Sequence, residues 1–156
     1  MNMCSAFSYR DDPLVPKFAD DKPIIIFDGY CVLCSGWAKF VLRHDRAGRC
    51  RLLAAQSPLG KAIYIHYGLD PIHYETNILM ADGVVWLKSE GSIRMAEGLG
   101  FPWHMAAIFR LLPLRIRDRF YSWLARNRFA FFGRREFCYR PNDDDKNRFL
   151  GGIEEQ

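Results

Sequence analysis

From residue 24 onward the apolar positions follow two periods. Ile24 to Phe27 is an unbroken run of branched and aromatic residues that stops at Asp28-Gly29, which predicts a buried strand closed by a tight turn. Beyond it Trp37, Phe40, Val41 and His44 recur at helical spacing with Lys39 and Arg43 off the stripe. This predicts a helix over Ser35 to His44, with Cys31 at its N-terminus and Cys34 one turn in. Arg51 to Ala55 reads as a second strand, parallel to the first through a right-handed crossover. Ser57-Pro58 opens the next helix, Ser57 as N-cap and Pro58 at the first helical position, which runs toward Tyr67 and ends at Gly68. Thr76 to Ala81 and Val84 to Lys88 flank Asp82-Gly83, the strongest hairpin signal in the chain. Ser92 to Leu99 reads as a helix that closes the sheet. After Phe101 the pattern stays helical through Ile108, Phe109 and Leu112, then Ile116, Phe120, Trp123 and Leu124, with Pro113 dividing two helices. These helices are expected to pack on the core with their arginines outward.

The fold class expected is α/β, in the order β-α-β-α-β-β-α, with a C-terminal helical extension. Residues 22–141 make one domain that includes the helices within 101–130. Met1 to Asp21, with Pro13 and Pro16 and no periodicity, reads as a flexible or loosely docked extension, and Asn142 to Gln156 as a tail. At 156 residues with 49% hydrophobic and 15% aromatic content the chain can bury a sizeable core, which excludes disorder over its whole length. No apolar stretch approaches the roughly 18 residues that span a bilayer, and the first residues lack the pattern of a secretory signal. Five cysteines, odd in number and irregularly spaced, fit a cytoplasmic, reducing setting better than a disulfide framework. The net charge of +4 names no partner. Its distribution says more: residues 101–140 hold nine arginines against Asp118 and Glu136, so this segment carries +7 and the remainder −3. Such a face, interleaved with Trp and Phe, suits weak contact with a membrane surface or an acidic partner, while nucleic acid is not an expected partner. The plainer reading is a solvated face with internal salt bridges.

The candidate chemistry lies in Cys31 and Cys34. Unpaired N–H groups and the positive end of the helix dipole favour a thiolate, and can lower a cysteine pKa to about 3.5–7.5. Val32 and Leu33 supply neither charge nor proton donor, so activation must come from the helix terminus and its neighbours. Two cysteines three positions apart can close a small-ring disulfide. The chemistry is thiol–disulfide exchange with a protein or small-molecule disulfide or thiol, Cys31 attacking and Cys34 resolving, with no cofactor. A Cys-x-x-Cys at a strand-to-helix turn of an α/β pattern points to a thioredoxin-like redox motif. The rival is a zinc or iron–sulfur site. Cys31 and Cys34 would supply half of one, but Cys50, Cys138, His44, His66, His73 and His104 are dispersed, so no metal site is expected. Asp28 is the third candidate. It reads first as a turn residue hydrogen-bonding nearby N–H groups, and that role is compatible with a general base taking the Cys34 proton. Its charge opposes the helix dipole at Cys31. Cys50 reads as an ordinary strand thiol and Cys4 as an incidental exposed one. A phosphatase reading fails because the residue two past Asp28 is Tyr30, and no glycine-rich phosphate cradle exists.

Asp28-Gly29-Tyr30-Cys31-Val32-Leu33-Cys34 resembles the Asp-Gly-x-Cys-x-Leu-Cys signature of the DCC family of thiol–disulfide oxidoreductases. Asn127-Arg128-Phe129, Phe132-Gly133-Arg134, Cys138 and Pro141 are similar to the pattern that closes many members. The resemblance runs from about Lys22 to Pro141 and implies a thioredoxin-like core with a helical addition and an oxidoreductase activity, without naming a substrate. Within it Cys138 either packs on the core or acts as a third redox cysteine. One departure stands out. Thioredoxins place a cis-proline just before the third core strand, whereas here Glu75 precedes Thr76 and the nearest proline is Pro71. Either Pro71 serves through a longer loop or the site lacks this feature; Asp70-Pro71 itself reads as a simple turn. The second functional reading is a non-catalytic thioredoxin-like module that docks a partner or membrane through its basic aromatic helices.

Overall fold

The computed structural model describes residues 8–136, 139, 140 and 142–150, so Cys4, Cys138 and Pro141 lie outside the described residues. Strands β1 (Ile24–Phe27), β2 (Arg51–Ala54), β3 (Ile78–Ala81) and β4 (Val84–Leu87) form one sheet in the order β2-β1-β3-β4. β1 pairs with β2 in parallel, Ile24 opposite Arg51, and with β3 in antiparallel, Ile24 opposite Met80. The central position of β1 explains its unbroken apolar run, because all four residues are buried and neither face meets water. Around the sheet lie α1 (Val32–His44), α2 (Pro58–His66), α3 (Lys88–Glu97) and α4 (Leu114–Phe132). Alternate residues of β1 feed two cores. Ile24 and Ile26 join Leu53, Ile63 and Tyr64 on one face. Ile25 and Phe27 join Leu52, Leu79 and α1 on the other, which is the face that holds Cys31 and Cys34. The arrangement is that of a thioredoxin-like fold.

Local chemistry set most of the boundaries. The Ser57 hydroxyl accepts the Gly60 N–H at 3.0 Å, capping α2 as its sequence predicts. Asp82 and Gly83 take φ of 52° and 77°, the paired positive values of a type I′ hairpin turn. Helix α3 starts at Lys88 rather than Ser92: Lys88 itself adopts φ 52° and swings β4 straight into the helix.

Three expectations need correction. The leading segment is docked from Ser8 onward, with Tyr9 and Val15 buried in the first core. Residues 142–150 are no loose tail. A 3-10 helix, Asp143–Arg148, brings Arg148 onto Asp45 at 2.6 Å, and the Leu150 N–H reaches the Leu52 carbonyl at 2.9 Å. Before Pro113 the chain forms a 3-10 helix, Trp103–Leu111, that buries none of its residues. On that segment and α4, Met105, Ile108, Phe109, Phe120 and Trp123 are exposed. Among the arginines, Arg110 and Arg117 ion-pair with Glu90 at 3.0 and 3.2 Å, and Arg128 turns fully inward. Among the described residues no helix is long and apolar enough to cross a membrane.

Two glycines of equal helix propensity separate packing from propensity. A Cβ on Gly60 would stand 2.5 Å from the Ala54 carbonyl oxygen and 2.7 Å from that of Ala55, whereas one on Gly36 would meet nothing within 4 Å. Gly36→Ala is expected to stabilise the protein by about 1 kcal/mol and Gly60→Ala to destabilise it by roughly 1–3 kcal/mol, measured by urea unfolding.

Candidate functional site

The end of β1 is held by a braced turn. Asp28 Oδ1 accepts the Tyr30 N–H at 3.0 Å, the Asx contact expected of an aspartate there. The same oxygen accepts Gln56 Nε2 at 2.6 Å, and Gln56 Oε1 accepts the Gly29 N–H at 3.0 Å. From the other side the buried Ser35 hydroxyl donates to the Gly29 carbonyl at 3.2 Å. Cys31 follows as the N-cap of α1, φ −80° and ψ 123°, and its sulfur accepts the Cys34 N–H at 3.3 Å. A sulfur thus stands where a serine or aspartate oxygen usually caps a helix.

Asp28 Oδ2 accepts Arg128 Nη2 at 3.0 Å, an ion pair closed by residues a hundred positions apart. Asp28 is 2% exposed and Arg128 3%, so both charges are out of water. Taking them there is costly, and the pair holds because all of its remaining hydrogen-bonding groups but one find partners. Arg128 also donates to the Ala125 carbonyl at 2.8 Å and to the His73 carbonyl at 2.5 Å, which ties the loop before β3 to the cysteine turn. Its Nε alone has no partner. The sequence contains the signal for this placement: Tyr121, Ala125 and Arg128 fall at helical spacing on the inner side of α4, so an arginine sits in line with residues that face the core. Gln56 carried no comparable signal.

The electrostatics separate the two thiols. The hydrogen bond from Cys34 lowers the Cys31 thiol to about 7 against the resistance of burial, helped by the Cys34 N–H and by the Arg128 charge. Asp28 raises it, in the direction its charge requires, but weighs less than Arg128. Cys34 is pushed well above the ordinary thiol range by its hydrogen bond to Cys31, by burial and by the neighbouring sulfur's charge. The reduced pair therefore holds one proton between two sulfurs, with the negative charge at the helix terminus. Access runs the other way. Cys31 is 0% exposed and Cys34 8%. Backbone bonds from Arg135 to Tyr30 (2.8 Å) and from Tyr139 to Gly29 (2.9 Å), with Arg134 bridged to Cys31, lay the segment after α4 across the turn. Cys34 instead forms part of the wall of a cavity of about 270 Å³.

The remaining candidates lie apart. Cys50 donates to Asp45 at 3.0 Å, and burial with that carboxylate pushes it up to about 12, an inert thiol. His44 packs between Phe40 and Trp103, His66 bonds Asp12, and His73 bonds Asp70. Among the described residues no three His, Cys, Asp or Glu side chains converge as a metal site would require. Pro71 stays in the turn that Asp70 caps through the Ile72 N–H at 2.8 Å, and among the described residues the cis bond is Phe101–Pro102. The position before Thr76 is Glu75, so the thioredoxin cis-proline has no counterpart there.

The DCC1-like thiol–disulfide oxidoreductase model matches residues 25–134, from β1 through Arg134 and including both cysteines, Asp28 and Arg128. The chain belongs to the DCC1-like family. Two relatives are similar along most of their length. "Uncharacterized protein YuxK" of Bacillus subtilis (strain 168) is 32% identical over 127 residues, covering 81% of this chain and 93% of its own. "DCC family protein At1g52590, chloroplastic" of Arabidopsis thaliana is 37% identical over 120 residues, covering 76% of this chain and 70% of its own. No solved structure matches at a significant level.

Replacing Arg128 with Met leaves the Asp28 carboxylate buried without its partner. Loss of about 3–5 kcal/mol of stability is expected by denaturant unfolding. In whatever folds, the Cys31 thiolate absorbance should titrate at a pH above about 7, because the cation that lowers it is gone.

Proposed function

We propose that this protein carries out thiol–disulfide exchange, with Cys31 as the attacking thiolate and Cys34 as the resolving thiol. The observation that carries this reading is the geometry of the pair: Cys31 caps α1 with its sulfur accepting the Cys34 N–H at 3.3 Å, an arrangement that lowers the Cys31 thiol while Cys34 holds its proton one turn away. Attack by Cys31 on a substrate disulfide breaks that bond and forms a mixed disulfide. The Cys31 charge and its acceptor lone pair are then spent, so the largest cause that holds the Cys34 proton and the repulsion from the neighbouring sulfur both weaken, while burial persists and Arg128 remains to favour a thiolate. Cys34 can then deprotonate and displace the substrate thiol. Asp28 supports both steps by holding Arg128. For it to take the Cys34 proton directly, Oδ2 must exchange the guanidinium for the thiol, since Asp28 makes no hydrogen bond to either sulfur among the described residues. Because Cys31 is covered, substrate must either displace Arg134, Arg135 and Tyr139 from the turn or approach across Cys34.

The setting is a reducing one, where a pair that opens and closes can cycle. The second reading, a non-catalytic module, draws on the exposed Phe120, Trp123 and Phe131 beside Arg115, Arg119 and Arg126 of α4, which would meet a membrane surface or an acidic partner.

Cys34→Ser is expected to accumulate a mixed disulfide on Cys31, read by peptide mass spectrometry after reaction with an aromatic disulfide, and Cys31→Ser to accumulate none. A trap found on Cys34 would reverse the two roles, and a wild-type pair that never closes across glutathione redox buffers would remove the enzyme reading. The pH dependence has a definite sign. The folded pKa of Cys31 lies below its ordinary value of 9.0, so the thiolate stabilises the reduced form above that pH and ceases to do so as pH falls through about 7. The stability of reduced over oxidised protein should therefore rise between those two values, measured by thermal unfolding of both forms.

A further inference from the structure

The cavity beside Cys34 is the feature that the exchange reaction leaves unexplained. Its walls are Leu33 and Trp37 of α1, Tyr121, Leu124 and Ala125 of α4, and Cys34 itself. Apart from that thiol they are almost wholly apolar, and a volume of about 270 Å³ approaches the size of small-molecule sites. Polar groups enter it in few places. Asn77 is buried and its side-chain amide makes no hydrogen bond among the described residues. Glu75 also lines the cavity and is exposed, which puts a carboxylate at the rim. Arg128 lines it too, its charge answered by Asp28 and only its Nε left without a partner.

These groups choose among disulfides. Glutathione disulfide carries four carboxylates and two ammonium groups, far more charge than one rim carboxylate and the single unpaired Arg128 Nε could answer. A protein disulfide in a folded surface would have to bring its backbone polar groups into the same dry space. A strained ring disulfide on an aliphatic chain loses nothing by entering, since carbon and sulfur match the walls. A carboxamide at the far end of that chain would satisfy the Asn77 amide and donate to Glu75, whereas a carboxylate there would face Glu75 with like charge.

We propose that the Cys34 cavity binds a neutral 1,2-dithiolane amide of the lipoamide type, and that this is the disulfide with which Cys31 and Cys34 exchange. This rests on the redox reading of the pair. In the reduced protein one thiolate and one thiol are present. The ring S–S bond breaks, the Cys31–Cys34 bond forms, and two electrons pass to the substrate sulfurs. Those sulfurs take up two protons, one from the protein thiol and one from solvent. The reaction runs in either direction as the two potentials dictate.

The test mixes reduced full-length protein with one equivalent of disulfide and follows formation of the Cys31–Cys34 bond by mass spectrometry. Lipoamide, lipoate, glutathione disulfide and the small neutral hydroxyethyl disulfide are compared, alongside titration calorimetry with octanamide, which has the chain and amide but no sulfur. Lipoamide should react at least about ten-fold faster than lipoate or glutathione disulfide, and octanamide should bind one site and slow it competitively. Leu124→Trp, which fills the cavity, should lower lipoamide reactivity about ten-fold relative to its effect on hydroxyethyl disulfide. Asn77→Ala keeps the space open, and should shrink the preference for lipoamide over lipoate. A lipoyl-lysine peptide run in parallel separates sources: reaction with it places the amide substituent outside the cavity, and reaction with free lipoamide alone marks a small-molecule substrate. If hydroxyethyl disulfide closes the pair but lipoamide shows no advantage over glutathione disulfide, or octanamide binds Leu124→Trp as well as wild type, the substrate assignment is overturned and the redox reading survives. If no disulfide closes the pair, the redox reading fails first.

Discussion

The buried ion pair between Asp28 and Arg128 is the constraint on which the site depends. Either charge alone in that position would meet the full cost of leaving water. Together they fix three pieces of chain that are otherwise far apart: the turn at the end of β1, the loop before β3 through the His73 carbonyl, and α4. The loop position matters because thioredoxins use a proline there to face their cysteines. Here a guanidinium clamp holds the same loop, and it brings a positive charge to the sulfurs as well.

That charge resolves a conflict within the turn. An aspartate three residues before a nucleophilic cysteine raises the thiol pKa, and so works against the helix terminus that should lower it. Arg128 converts the aspartate from an opponent into an anchor, since the cation acts on Cys31 more strongly than the anion it is bound to. The larger effect is local, however. Cys34 gives Cys31 both its N–H and its S–H, so the acidity of one thiol is bought with the proton of the other.

Much of this fold was legible in sequence because its signals are local. Ser57-Pro58 and Asp82-Gly83 determine their own conformations within a few residues, and the β1 run announces a strand covered on both faces. The pairing of Cys31 with a helix start was legible for the same reason. Arg128 was hidden by company: on a segment with nine arginines, its charge looked like one more solvated side chain, and only its alignment with Tyr121 and Ala125 set it apart. Residues 142–150 misled in the opposite way. Three adjacent aspartates read as a tail, but Arg148 behind them finds a buried carboxylate at Asp45, a contact no local pattern encodes. The exposed apolar residues near 105–123 obey helical periodicity without the burial that periodicity usually signals, because the 3-10 segment buries nothing and α4 turns its narrower, partly polar side inward.

The span between Asp28 and Arg128 has a consequence for the order of events during synthesis. The cysteines leave the ribosome early, and β1, α1 and β2 can form around them while the partner of Asp28, a hundred positions further along than Asp28 itself, has yet to be made. Until α4 docks, the aspartate acts on the thiols without its counterweight, and the Cys31 thiol of a nascent chain sits higher than in the finished fold. The last increment of acidity at Cys31 therefore arrives with α4, after the larger, local part supplied by Cys34 is already in place.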